Sequence, residues 1–394
     1  MGGAIAQGPA AMPRPFLCAG SLGRFDIHYS QDEVTKVTND QVLRSNPNVS
    51  QRSPAEAGAE PVPSSAPVAA EEMDYAPEVE AYVRRRQGQG SRYYWLTRML
   101  KKTIFGELHH GLVLLPGDAE HSHYVMKEPV EEVAVKIYFR DRLRDLVNRT
   151  SENPTQELAA MQCLPPHPHV MTLEDCCYDA NYVYGIMEFY DGGEMYDMIS
   201  PEPDAVKPLS EVAARSYFKA LLEGMKHFHD FGLAHRDMSL ENIMVRNSKD
   251  SGSSSSKNCK IIDFGMCQLV PKDALGRYMR VVPRVPCGKK HYMSPEVLEN
   301  ATPFNPMGSD VWAMGVLLFI LLTGYPPVEV ASKADSRFVM ICHLNRLGEL
   351  LTMWGYGHLS VEVQDLLCRM LRPQPIDRIS LEEVARHPWM MSSS

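Results

Sequence analysis

The residues of this chain best suited to chemistry fall in two short clusters in its second half. His235-Arg236-Asp237 is followed five residues on by Asn242, and Asp263-Phe264-Gly265 comes after that. Phosphoryl transfer is the reaction such a set could serve. It asks a protein for little covalent help: phosphates must be held, their charge neutralised by metal, and an attacking hydroxyl aimed in line. Upstream, Val133-Ala134-Val135-Lys136 ends an apolar strand with an inward-facing lysine. An ammonium leaving water needs a carboxylate, and Glu157 heads a helical pattern that continues through Leu158, Met161 and Leu164. The plainer alternative is an ordinary surface Lys and Glu.

The elements that must position these groups change character along the chain. Strand-like segments come first, at 94–101, 111–115 and 132–139, then a helix over 155–164 and strands at 170–177 and 182–189. After Gly192-Gly193 the pattern turns helical, with helices expected at 209–231, 310–322, 337–350, 361–371 and 381–387. This is an α+β arrangement: a small β-rich lobe with one main helix, a larger helical lobe, and a cleft between. No internal repeat is visible. Ser251 and Ser253–Ser256 read as a long hairpin loop outside the core.

Composition bounds the rest. Of 394 residues, 44% are hydrophobic and 23% charged, enough for a large soluble core. A net charge of −9 argues against a general nucleic-acid binder, which needs clustered cations. The nine cysteines include no C-x-x-C pair, which suits reduced thiols inside a cell, in the cytoplasm or alternatively the nucleus. No secretory leader is expected at the N-terminus, and Ala6 stands where a myristoylation pattern wants Ser or Thr. The most apolar run, 311–322, is read as a buried helix and not a bilayer span. Residues 1–90 read as a largely disordered tail rich in Pro, Ala, Ser and Glu, either a docking site for a regulatory partner or a solvated linker. The folded domain is expected over 91–390, with lobes at about 91–189 and 194–390 joined by a connection at 188–193, and a short tail at 391–394.

From about Tyr94 to Trp389 the chain resembles the eukaryotic protein kinase family, most closely its Ser/Thr members. The resemblance implies the two-lobed protein kinase fold, ATP and Mg²⁺ as cosubstrate and metal, and protein substrates. It implies that Asp237 orients the substrate hydroxyl and accepts its proton, that Asn242 and Asp263 hold Mg²⁺, and that Lys136 pairs with Glu157 to hold the α- and β-phosphates. In Met187-Glu188-Phe189-Tyr190 it implies an inter-lobe hinge, with Met187 behind the adenine and backbone groups of Glu188 and Tyr190 on its edge. Glu194 would reach a ribose hydroxyl, and Val113, Ala134 and Met244 would sandwich the base. Ser294-Pro295-Glu296 and Arg378 would pair, Asp310 would brace the catalytic loop, and Leu173, Met161, Phe264 and His235 would stack in one column.

The chain also departs from that pattern. The family's glycine-rich phosphate loop is matched only by Gly106 and Gly111, with Leu108 in place of the middle glycine, which implies a looser cradle. A lysine usual two residues after the catalytic Asp is Ser239, and Lys289 stands where a Thr is usual. The expectation is a swap, in which Lys289 brings the missing ammonium from the opposite side. Between Met266 and Gly288 there is no Ser or Thr, and Tyr278 is the only hydroxyl; the segment should fold around a carboxylate such as Asp273 or answer to a partner. Glu194 and Glu241 suggest a weak preference for Arg upstream of the target. His121/His123 and His167/His169 are weak metal candidates, and Cys267 and Cys287 weak redox candidates. The alternative to an active enzyme is a pseudokinase scaffold; a small-molecule kinase fits poorly.

Overall fold

The computed structural model describes residues 34–37, 81–84, 92–116, 124–127, 129–146, 149–202, 205–247, 259–281 and 286–392. The serine patch at 251–256, His121 and His123, and most of the segment before residue 90 lie outside the described residues.

Alternating apolar residues in the strand Glu132–Phe139 (β6) give it two buried faces, and it forms the middle of an eight-stranded sheet. The strands are Val34–Val37 (β1), Ala81–Arg84 (β2), Tyr93–Lys102 (β3), Gly106–Pro116 (β4), Tyr124–Met126 (β5), β6, Leu173–Tyr178 (β7) and Tyr182–Glu188 (β8). Their order is β1-β2-β3-β4-β6-β8-β7, with β5 on β4. Two short strands from the segment before residue 90 thus extend one edge. The outer face packs Tyr94, Leu96, Val113, Val133, Val135 and Ile137 together. The inner face carries Ala134, Lys136 and Tyr138.

Helix α1 (Arg140–Leu146) leads to α2 (Pro154–Cys163), whose start is fixed by Asn153, its side chain accepting from Thr155 N and Gln156 N at 3.1 and 3.2 Å. Leu158 and Met161 of α2 are buried against the inner face. Beyond β8 the chain is mostly helical: α3 (Met195–Ile199), α4 (Glu211–Asp230), α5 (Pro295–Glu299) and α6 (Pro306–Thr323). Helix α6 is apolar all round and is long enough to cross a membrane, longer than the 311–322 run suggested; 94% of it is buried as the axis of the large lobe. It stops at Gly324, whose φ of 78° is the left-handed cap geometry.

The single helix expected over 337–350 is instead broken. A short turn at Ser336–Phe338 runs into a wide turn at Val339–His343, Asn345 takes φ 56°, and a new helix, α7 (Leu347–Met353), starts in another direction. Apolar spacing alone hid the break, because both pieces bury their own apolar side. Helices α8 (Val361–Met370) and α9 (Leu381–Ala385) finish the lobe. One hydrophobic core then runs from Tyr138 and Leu158 through Phe264 to Trp312 and Trp389, joining the two lobes.

Candidate active site

The cleft between the lobes is lined from above by the inner face of the sheet. Strand register fixes which residues reach it. Lys136 sits between Leu108 of β4 and Gly185 of β8, and Ala134 sits between His110 and Met187. Lys136 Nζ donates to both Glu157 oxygens, at 2.7 and 2.8 Å, and Tyr138 donates to Glu157 Oε2 at 3.1 Å. Burial works to lower the Lys136 pKa, but the Glu157 and Asp263 carboxylates more than offset it and keep the ammonium charged.

Two glycine expectations and one apolar one are corrected by the same register. The hairpin turn between β3 and β4 is Thr103–Gly106, closed by Thr103 N donating to Gly106 O at 2.9 Å. Gly106 is needed there because a Cβ would lie 1.9 Å from Ile137 O, so it serves close approach to β6. Gly111 lies well inside β4, where a Cβ would meet Trp95 O at 3.2 Å and Val133 at 3.3 Å. Val113 is buried on the outer face with Tyr94 and Val133. Side chains alternate along a strand, so the apolar residue that β4 turns toward the cleft beside Lys136 is Leu108. Sequence reading missed it by placing the loop along β4 itself instead of at the hairpin tip.

The floor of the cleft is built by short loops that the large lobe clamps. Asp310, buried near the start of α6, accepts from His229 Nε2 and from the backbone N of His235 and Arg236, at 2.9, 2.9 and 2.8 Å. That clamp holds Arg236 at φ 68°, a costly conformation for a residue with a Cβ. The next residue, Asp237, is thereby aimed into the cleft. Asn242 Nδ2 donates to Asp237 O at 2.7 Å and to its Oδ2 at 2.8 Å. Asp237 Oδ1 is buried with no hydrogen-bond partner among the described residues. Burial raises the Asp237 pKa, while His235, the Asn242 bond and Lys289 pull it down.

Asp263 has φ 65° and accepts from Gly265 N at 3.3 Å. Phe264 behind it is fully buried, its ring 5.8 Å from His235 and 4.9 Å from Phe228. Met161 is buried in the same core, and Leu173 packs against it.

Lys289 arrives from the far side of the cleft. Its Nζ donates to Ser239 Oγ at 2.9 Å and pairs with Glu241 at 3.2 Å. Lys290 makes neither contact and is exposed.

At the back of the cleft Met187 faces Ala134. The Glu188 side chain is tied to Arg246 at 2.5 Å and Lys260 at 2.8 Å, and Arg246 lies 4.5 Å over the Tyr190 ring, so the connection between lobes is braced from outside. Met244 bridges to Glu194, whose carboxylate is held by Lys101 at 3.0 Å. Farther down, Arg378 makes two bonds to Glu296, at 2.7 and 3.0 Å, and Ser309 adds a third.

Asp273 closes a local turn in the segment after Asp263. Asp273 accepts from Leu275 N and Arg277 N and pairs with the Arg277 guanidinium. Tyr278 tucks its hydroxyl onto His229 O at 2.5 Å. Residues 282–285 lie outside the described residues. Among the described residues no three His, Cys, Asp or Glu side chains gather as a metal cluster, His167 and His169 included, and the eight described cysteines are free.

Comparison with known proteins agrees with this geometry. The family model for the protein kinase domain matches residues 120–390. CBL-interacting protein kinase 17 of Oryza sativa subsp. japonica is 33% identical over 258 residues, 65% of this chain and 50% of its own length. Serine/threonine-protein kinase CHK1 of Saccharomyces cerevisiae is 33% identical over 240 residues, covering 60% and 42%. Calcium-dependent protein kinase 24 of Arabidopsis thaliana is 31% identical over 264 residues, covering 67% and 41%. The chain thus spans half or less of the length of these three relatives. The matched region begins after the divergent β3–β4 hairpin and takes in the Lys136–Glu157 pair, the Asp237 loop and the Glu296–Arg378 anchor, and with it this chain belongs to the protein kinase family.

Proposed function

We propose that this chain transfers the γ-phosphate of ATP to Ser or Thr hydroxyls of protein substrates. One observation carries the reading: a buried Asp237 carboxylate with one oxygen fixed by Asn242 and the other unpartnered. A buried acceptor left without a donor is costly, and a substrate hydroxyl supplies one. Asp237 Oδ1 then holds that hydroxyl and takes its proton as the bond to phosphorus forms.

Lys136, fixed by Glu157 and Tyr138, presents its ammonium to the nucleotide phosphates. Lys289 takes the place of the ammonium lost at Ser239 and faces the transferring phosphoryl group from the opposite wall. Met187, Ala134, Met244 and Leu108 bound the space for the base, and the backbone of Glu188 and Tyr190 offers its polar edge.

The donor set also fits Mg²⁺. Asn242 commits its amide nitrogen to Asp237, which leaves its carbonyl oxygen as a ligand, and Asp263 adds a carboxylate. Mg²⁺ favours such a sparse set of hard oxygens, completed by phosphates and water. When bound, the ion would neutralise phosphate charge.

Support for Ser and Thr over Tyr comes from relatives named as serine/threonine kinases. The test is transfer of labelled γ-phosphate to a mixed Ser/Thr/Tyr peptide library, followed by phosphoamino-acid analysis. Phosphoserine or phosphothreonine is expected. Label on tyrosine alone, or on nucleotide-site water alone, would overturn the assignment.

A further inference from the structure

We infer, resting on the phosphotransferase reading above, that the peptide substrates of this chain are acidic, with Asp or Glu flanking the acceptor hydroxyl. The sequence suggested the reverse, because Glu194 and Glu241 are placed to meet an arginine. In the structure both are already neutralised from within. Lys101 reaches across the cleft mouth from β3 to Glu194 at 3.0 Å. Lys289 holds Glu241 Oε1 at 3.2 Å, while the other Glu241 oxygen is buried and has no hydrogen-bond partner among the described residues.

At Glu194 a substrate arginine would have to displace Lys101, and at Glu241 it would have to share the carboxylate with Lys289. That exchanges one ion pair for another and gains close to nothing.

The segment that follows Asp263 is rich in cations. Between Met266 and Lys290 the chain has six Lys or Arg and a single acid, Asp273, within a molecule of net charge −9. Asp273 is consumed by Arg277 and by the turn it caps. Lys290 and Arg280 are exposed, and no ion pair is made by either among the described residues. Lys272 is also exposed and rests on the Tyr278 ring at 4.5 Å. Lys290 follows directly on Lys289, which lines the same pocket as Asp237 and Gly288. A peptide that brings its hydroxyl to Asp237 therefore lays its neighbouring residues along a cationic rim. Complementary charge on such a rim favours encounter and rejects like-charged partners.

Two peptides with the same Ser/Thr centre, one flanked by Asp and Glu and one by Arg, distinguish the cases. Binding to the full chain is read by fluorescence anisotropy with a non-hydrolysable ATP analogue, and initial rates are read with ATP. The acidic peptide should bind tighter and react with higher kcat/KM by about tenfold at low ionic strength, and the gap should narrow as salt screens it. Lys290→Glu combined with Arg280→Glu should reverse the order; because the readout is a ratio within one protein, partial loss of folded protein cancels. Equal or tighter binding of the Arg peptide, or binding of neither, overturns the inference. The binding arm does not depend on turnover. Acidic preference in binding without transfer would remove the phosphotransferase reading alone, and transfer with an equal or higher kcat/KM on the Arg peptide would remove this one alone.

Discussion

At Asp237 two opposed effects meet in one side chain. Burial leaves its pKa raised, although His235, the Asn242 hydrogen bond and Lys289 pull the other way. Lys289 contributes to that balance while bonded to Ser239 and Glu241. Lys289→Ala should therefore reduce kcat by about 10²-fold, on the scale of losing one preorganised donor at a developing charge. Lys290→Ala should change it by no more than about 3-fold on the acidic peptide, as a rim charge does. Steady-state kinetics of the two variants decides; equal effects would remove Lys289 from the site. The Lys289–Ser239 contact was legible in the sequence because both positions fall inside recognisable motifs. The Lys101–Glu194 pair was not. Irregular pairing at Leu96/Arg98 and Met99/Lys101 resets β3 before Lys101 is turned to the cleft, and no spacing rule reveals that.

Among the elements, β4 shows how one strand serves two purposes. Its odd positions around Val113 build the outer core and its even positions from Leu108 roof the cleft. Leu108→Ala should raise KM for ATP several-fold with little change in stability. Val113→Ala should cost about 2 kcal/mol of unfolding free energy, as a buried large-to-small change does, with KM for ATP held. Nucleotide titration and denaturant unfolding separate the two, and the opposite pattern would return the strand to its other register. The sequence told the elements apart well where period and capping agreed, as at β6 and at α2 behind Asn153. It failed where a turn has no glycine signature of its own, as at Asn345, and where two nearby glycines offered competing loops. The segment after Asp263 follows the sequence reading more closely. Asp273 closes a turn in it, and the Tyr278 hydroxyl is already spent on His229 O. Tyr278→Phe should leave transfer within about 3-fold, since one part-buried hydrogen bond is worth about 1 kcal/mol. Active protein that carries obligatory phospho-Tyr278 by mass spectrometry would contradict a self-folded segment.

Across the whole molecule, the lobes are joined by a continuous core through Met161 and Phe264, by the braced connection at Glu188 and by the Lys101–Glu194 bridge at the cleft mouth. Asp310 anchors the catalytic loop from α6, and the Glu296–Arg378 pair anchors the segment beside it. These supports converge on placing Asp237 and Lys136 on opposite walls of one cleft. The most direct test of that account is γ-phosphate transfer to an acidic Ser/Thr peptide by the unaltered chain and by Asp237→Asn, with ATP affinity measured on both. The account predicts transfer by the unaltered chain, a loss of at least about 10²-fold in the variant as expected for removing a positioned base, and ATP affinity that stays within a few-fold. Equal transfer by the two proteins, or a folded unaltered chain that binds ATP and transfers nothing, would contradict it.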